Sequence, residues 1–474
     1  MAIINARSPY YVSITNAAIS YATLDISIWS GSSATVATEN TSYSLKKSIH
    51  TTETKVSFEI SQLVRDDLDV NFDGNYTTSA ESDGGAKWVK TIIKAFNSSD
   101  AQVGSTVTET NIAFDGYGYF EEGSSFTMAN KSLFSSEGDI FLPKFGDSNI
   151  AIYTENNPTV LLKDIAGATV DTSTFTSSVQ SYEQIKYVSL YPELVTNVGF
   201  DDATDWTIRT NDVIEDGLLK CGGQLGDRVN NAFTPVTGTN YILKFTITDY
   251  TSGWIGAYTG VSGVNLSGQL SEIGTYTYQY TQGTTSLNQV SFYTSSGFEG
   301  NIDNVSLKEV YDVSKISVTD DNGTTNANVK QVEECKFTPH KVTFVNKNGV
   351  LDDMYFFKKS TDSMTTKRES YNANTIKPDN TYSVNQHNKR EFNITANSMV
   401  KLSSGYLNES SNEKFKQLLL SEKVWITRTF KNDELVLPIN IKTSSISYKT
   451  SLNDKLVDYT IEFNDSYNAI NNIR

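Results

Sequence analysis

Apolar and polar positions alternate with a period of two along most of this chain. Leu24, Ile26 and Ile28 alternate with Asp25 and Ser27, and Val56, Phe58 and Ile60 with Ser57 and Glu59. Leu243, Phe245 and Ile247 alternate with Lys244 and Thr246, Tyr276, Tyr278 and Tyr280 with Thr277 and Gln279. Val457, Tyr459, Ile461 and Phe463 close the chain in the same pattern. Such spacing places one set of side chains on each face of a strand. Trp88 to Phe96 reads as a buried strand. Asn348-Gly349, between Val342–Val345 and Met354–Phe357, is a hairpin signal. Helical spacing is confined to two places: Gln62–Leu68, with Ser61 as its expected cap, and 412–422, where Phe415, Leu418 and Leu419 share a face and Ser411 or Asn412 can cap. Ala101–Thr110 is expected to be a loop, and the polar stretch Asp362–Asn388 an extended arm or loop.

The length, 474 residues, suits two to four domains. With 26 Tyr and 23 Phe against 5 Met and 5 Trp, the cores must be aromatic, which favours strands. The class is mainly β, with β-sandwich or β-barrel domains. A formal charge of −16 and no basic stripe argue against nucleic acid, because phosphate binding needs Lys and Arg to displace counterions. No apolar run approaches the ~20 residues of a membrane span, so membrane insertion is not expected. Residues 1–10 lack the basic-then-apolar form of a signal peptide, which points to synthesis in a cytoplasm. Cys221 and Cys335 are too few for a disulfide framework and are expected to be buried free thiols.

Three segments follow: β-rich 1–190, a self-contained unit at 191–310, and β-rich 311–474 carrying the 412–422 helix. The middle unit opens with Asn197-Val198-Gly199-Phe200 and Asp205-Trp206 and closes with Ile302-Asp303-Asn304-Val305. Strand-like sequence resumes directly after it at Val313–Val318, as for an insertion whose ends lie together. Its opening asparagine, Asp-Trp pair and closing block resemble the jelly-roll carbohydrate-binding modules of glycosidases and phage tail proteins. The resemblance implies a jelly-roll β-sandwich that binds host-surface polysaccharide, or one that only decorates a larger particle.

A second resemblance flanks the unit. Arg7-Ser8-Pro9-Tyr10-Tyr11, the block Phe114–Gly123, Val345-Asn346-Lys347-Asn348-Gly349, Phe415–Glu422 and Ser451–Lys455 are similar to virion proteins of tailed bacteriophages. It implies a structural part of the virion, with distal-tail and baseplate rings the nearest functional analogy, located in the tail. Its partners would be other tail proteins and further copies of itself in a ring-forming homo-oligomer. No catalysis is then required. The alternative is a polysaccharide depolymerase or esterase with an appended binding module, although the long repeats of tail depolymerases are absent. A secreted bacterial adhesin is a third reading, against which the missing signal peptide counts.

Candidate chemistry is sparse. Phe145-Gly146-Asp147-Ser148-Asn149 resembles the nucleophile block of Gly-Asp-Ser esterases. Those enzymes need a His preceded three residues earlier by Asp, and Lys47, Phe337 and Val384 stand before His50, His340 and His387. Cys and His are scattered, unlike a zinc site. In a regular strand Asp303 would face inward with Val305 and Leu307 and need a partner. Hydrogen bonding and a structural calcium, which the module resemblance implies at this position, both remain open. Sugar binding calls for exposed aromatic faces beside amides. Trp254, next to Gly253 and Gly256, is the leading stacking residue, as suited to core as to platform, and Tyr258 and Tyr276 follow. Trp206 is expected in the sandwich core.

Overall fold

The computed structural model describes residues 3–31, 41–50, 52–74, 76, 85–123, 135, 138–144, 146, 148–153, 158–174, 185–189, 191, 193–222, 228–259, 266–284, 289–295, 297–310, 313–320, 323–430, 433–448 and 456–470. It is mainly β, in several sheets, with one substantial helix near the C-terminus.

The N-terminal part is a five-stranded sheet ordered Ile3–Asn5, Val107–Phe114, Ala86–Phe96, Tyr21–Trp29 and Tyr43–Ser48. A two-stranded ribbon, Tyr11–Thr15 with Lys55–Glu59, covers it. The alternating apolar positions of both meet in one core around Leu24, Ile26, Val56, Phe58 and Ile93. The short helix spans Ser61–Arg65. Ser61 is not its cap: Glu59 reaches forward, and its carboxylate accepts the Ser61 N–H at 2.9 Å. The segment expected to be a loop at Ala101–Thr110 enters the strand Val107–Phe114.

Residues on both sides of the middle unit build one sheet. Its order is Thr169–Thr174, Thr159–Lys163, Lys315–Asp320, Gly323–Val332 and Ile140–Pro143. Thr159–Lys163 pairs antiparallel with Lys315–Asp320, so strands far apart in sequence lie side by side. This sheet shares a core with a seven-stranded C-terminal sheet ordered Leu351–Phe356, His340–Val345, Val424–Phe430, Asp433–Ile441, Thr460–Asp465, Lys389–Ser403 and Thr361–Asn372. The helix Asn412–Leu420 lays Phe415 and Leu418, both fully buried, onto that core. It stops two residues before the expected end, and no side chain caps its N-terminus. Asn412 instead accepts the Tyr459 hydroxyl at 2.7 Å.

The polar stretch expected as arm or loop is a long ribbon. Thr361–Asn372 pairs with Lys389–Ser403 from Thr361↔Lys401 to Asn372↔Lys389, with a bulge between Lys367 and Glu369.

The N- and C-terminal parts meet at the Asn348-Gly349 turn. Gly349 has φ +78, and a Cβ there would lie 2.7 Å from the Gly116 nitrogen, so only glycine lets the two backbones approach. The Tyr117 N–H donates to the Lys347 carbonyl at 2.9 Å. Trp88, Phe114, Ala151 and Val350 form one small buried cluster across the same contact.

The middle unit is a separate sandwich with its own core of Phe200, Trp206, Leu219, Tyr241, Phe245, Phe292, Phe298 and their neighbours. One sheet runs Trp206–Thr207, Arg228–Ala232, Gln289–Thr294, Ile255–Thr259. The other runs Val213–Glu215, Leu218–Gly222, Glu299–Val310, Asn240–Ser252, Gly274–Thr281. Its two ends are tied together: the Leu194 N–H donates to the Leu307 carbonyl at 2.8 Å, and Glu193 accepts the Leu307 N–H at 2.7 Å. Tyr191 belongs to the core of the surrounding body and Val195 to that of the sandwich, so the division between them falls within a few residues. The five-stranded sheet is the one that touches the body, where Lys244 pairs with Glu434 at 2.5 Å.

Candidate glycan-binding face of the inserted sandwich

Strand alternation decides what the four-stranded sheet presents. Val290, Phe292 and Thr294 point into the core, as do Ile255 and Ala257. Gln289, Ser291 and Tyr293 therefore share the outer face with Gly256 and Tyr258, and the register sets Tyr293 opposite Gly256 and Ser291 opposite Tyr258. Gly256 leaves room beside Tyr293 for flanking rings. Trp254 and Tyr293 lie 5.8 Å apart between ring centres, and Tyr293 and Tyr258 6.0 Å apart. The three rings form a half-buried row, of which the sequence had yielded Trp254 and Tyr258. Tyr293 was not found because its place depends on cross-strand register, although its alternation with Phe292 and Thr294 signals an outward position.

Polar groups adjoin the row. Asn230 pairs with Ser291 in register, and the Gln289 amide donates to the Asn230 carbonyl oxygen at 2.9 Å. That bond fixes both amides and leaves the Gln289 oxygen and the Asn230 nitrogen for other partners. The Ser291 hydroxyl is fully buried on this face and makes no hydrogen bond among the described residues. With no accessible surface, that hydroxyl is closed to a ligand on this face.

The row is held from beneath. The Trp254 N–H donates to Ser295 Oγ at 2.8 Å and its carbonyl accepts the Ser295 N–H at 2.9 Å. Next to it, Arg209 and Asp212 form a bidentate pair, both side chains buried, with Nη2 to Oδ1 at 2.9 Å. Arg209 also donates to Thr294 Oγ1, and Asp212 accepts the Gly222 N–H at 3.0 Å, which ties two loops to the end of the sheet. Burial pushes the neighbouring Cys221 thiol up to about 12, so it stays protonated and inert. Cys335, expected to be buried as well, is exposed, and the two cysteines are free.

Two expected residues fall elsewhere. Tyr276 lies on the five-stranded sheet, stacked on Phe245 at 5.7 Å, with its hydroxyl donating to the Glu272 carbonyl at 2.8 Å. It packs against the core and is not part of the row. Asp303 does not face inward. Asn304 takes the left-handed conformation at φ +52, and the pairing with Asn240–Ser252 shifts register between Lys244 and Thr246. The bulge turns Ile302, Val305 and Leu307 inward and Asp303 out. Trp206 is in the core, 4.7 Å from Phe200, its Nε1 donating to the Asn197 carbonyl at 2.9 Å.

Calcium fits poorly here. Both Asp303 oxygens accept from Asn304, at 2.6 and 3.0 Å. In the opening loop the Asn197 amide nitrogen already gathers the Asp202 and Thr204 carbonyls, at 2.7 and 3.1 Å, where a cation would collect oxygens. Among the described residues no three His, Cys, Asp or Glu side chains group as a metal set. Partial burial and the nearby Asp201 hold the Asp303 carboxyl above its ordinary range.

The serine of the esterase-like block is a structural group. Ser148 is buried and donates to Asp353 at 3.4 Å. Asp353 also accepts from Thr343 at 2.7 Å and from Tyr76, and pairs with Lys341 at 3.1 Å. Phe145 and Asp147 lie outside the described residues.

No family model matches the chain, and no curated protein does. Solved structures give weak alignments. Native Escherichia coli alpha-2-macroglobulin aligns at 8% identity and TM-score 0.18, over 97% of this chain and 39% of that one. The BSP domain of a biofilm associated protein aligns at 9% identity and TM-score 0.11, over 69% and 64%. The Bacteroides ovatus SGBP-B, solved with a mixed-linkage heptasaccharide, aligns at 10% identity and TM-score 0.12, over 65% and 95%. Similarity this low carries no argument about fold or function. Among the described residues no helix is long and apolar enough to cross a membrane.

Proposed function

We propose that the chain is a structural protein of a tailed-phage virion, assembled with copies of itself in the tail, whose inserted sandwich binds host-surface glycan. One observation carries the binding half. The Trp254–Tyr293–Tyr258 row, with Asn230 and Gln289 beside it, lies on the sheet opposite the one that touches the body. The two outer faces of a sandwich point in opposite directions, so a sheet anchored at Lys244 turns the row toward solvent. Rings stack on the apolar faces of pyranoses while amides and hydroxyls take the sugar hydroxyls. The rings are tilted to one another, by 41° between Trp254 and Tyr293 and 75° between Tyr293 and Tyr258, so each offers a differently oriented face or edge to a sugar. The assembly half rests on the sequence blocks that flank the sandwich. The function is binding, and Ser148 is committed to Asp353 rather than to a histidine.

The test is calorimetric titration of the full chain with polysaccharide from susceptible cells, alongside immunogold labelling of virions. Saturable binding that Tyr293→Ala and Trp254→Ala weaken supports the reading. Absence of binding to every host polysaccharide removes the glycan half, and absence of label from virions removes the assembly half.

A further inference from the structure

The ribbon Thr361–Asn372 with Lys389–Ser403 is built unlike the other strand pairs among the described residues. All twelve residues of its first strand are exposed, and so are the first six of its second. On its far side Met399–Ser403 pairs with strand Thr460–Asp465, and one bond further out the Ala396 carbonyl accepts the Ala469 N–H at 2.9 Å. Beyond the Thr366–Ala396 pair the strands project for about 20 Å at ~3.4 Å per residue before the connecting loop. Thr361–Asn372 is the last strand of its sheet, so among the described residues its outer edge has no strand partner. An isolated two-stranded ribbon is marginal in water and an open edge invites another chain.

Its surface has a definite chemistry. Tyr371 and Phe392 pack edge to face at 5.6 Å and are 48% and 46% exposed. The loop joining the strands is ordered by its own hydrogen bonds, Ala373 N–H to Asn388 O at 2.7 Å and Lys377 N–H to Thr381 O at 2.9 Å. It nonetheless holds Ile376, Tyr382 and Val384 at 63%, 70% and 86% exposure. From Met364 to Ser398 there are five basic residues (Lys367, Arg368, Lys377, Lys389, Arg390) and three acidic (Glu369, Asp379, Glu391), a net +2. Subtracting this from the whole-chain −16 leaves −18, of which −8 lies on 193–310 (5 basic, 13 acidic) and −10 on the body.

We infer that this ribbon docks onto the acidic body of a second copy of the chain. The inference rests on the assembly half of the proposed function and names the element that performs it. Charge complementarity points to a copy, since the basic ribbon and the acidic body of the same molecule have opposite sign. The open edge points to protein rather than lipid, because a bilayer offers no partners for backbone N–H and C=O. A projection from one copy seated on the body of the next is a heterologous contact, the kind that closes into rings.

The experiment uses the full chain. Sedimentation velocity from ~1 to ~100 µM should show association that weakens at least about tenfold between roughly 50 and 500 mM salt. Replacing residues 374–387 by a short Gly-Ser turn should abolish it, and so should Lys367→Glu with Lys389→Glu and Arg390→Glu. Both variants should keep the parent melting curve and glycan affinity. A photo-crosslinking residue at Tyr382 should capture a peptide from another copy's body. Monomers at every concentration, association indifferent to both variants, or binding of the tip only to anionic vesicles would each overturn the inference. Association through another surface removes the ribbon and leaves the assembly reading standing, whereas one copy per virion removes both.

Discussion

Two parts of this protein stand off its body, and they are stabilised in opposite ways. The sandwich encloses its own aromatic core and is tied at one neck by Glu193 and Leu194. The ribbon has no core, and both faces of its outer half meet solvent. A projection with a core can fold alone and be carried as a unit. One without a core holds its shape through the sheet at its root and whatever it docks against.

The largest effect follows directly. Residues 193–310 expressed alone should give a cooperative melt, and the body closed by a Gly-Ser bridge should remain folded, whereas a peptide of residues 361–403 should show no ordered structure by circular dichroism. A disordered sandwich would erase the contrast. Next, Trp206→Ala should cost the sandwich about 3–5 kcal/mol in denaturant unfolding, as for a large core aromatic. Tyr371→Ala on the ribbon should fall within about 0.5 kcal/mol in the same assay, as for a surface site. Third, Trp254→Ala should leave stability near the parent value and weaken glycan binding about tenfold, one decade being about 1.4 kcal/mol. The smallest effect belongs to Asp303. Its pKa is raised in the folded state, so its contribution is intact below the ordinary carboxylate value of about 4 and lost as pH rises through the raised value. Asp303→Asn should therefore raise the melting temperature slightly at neutral pH, and the gain should vanish toward pH 4.

What could be read in advance follows the same divide. The strands around Leu24, Phe58, Leu243 and Ile461 declare themselves because one face is buried, and burial imposes the period of two. The Asn348-Gly349 turn and the 412–420 helix were visible for the same local reasons. The ribbon was not, because a strand wet on both faces has no apolar period, and its β formers, four Thr with Tyr371, Phe392 and Ile394, are scattered among polar residues. Asp303 was misplaced because one asparagine in a left-handed conformation reverses every side chain before it. Tyr293 needed the register across two strands, which no single segment contains. The Glu59 cap was missed because a carboxylate two residues before a helix gives a weaker cue than the serine beside it.

The pairing of Thr159–Lys163 with Lys315–Asp320 sets an order of events during synthesis. About 150 residues separate the two strands, so the first waits on the ribosome for roughly 8–30 s at ~5–20 residues per second before its neighbour emerges. The N-terminal sheet is complete by then, and the sandwich can close in the interval because it needs nothing from outside 193–310. Until residue 320 clears the exit tunnel, Val160 and Leu162 lack their neighbouring strand, and the C-terminal sheet that shares their core follows later still. A pause just after the sandwich would prolong the exposure of that strand, and a faster-closing sandwich would shorten nothing.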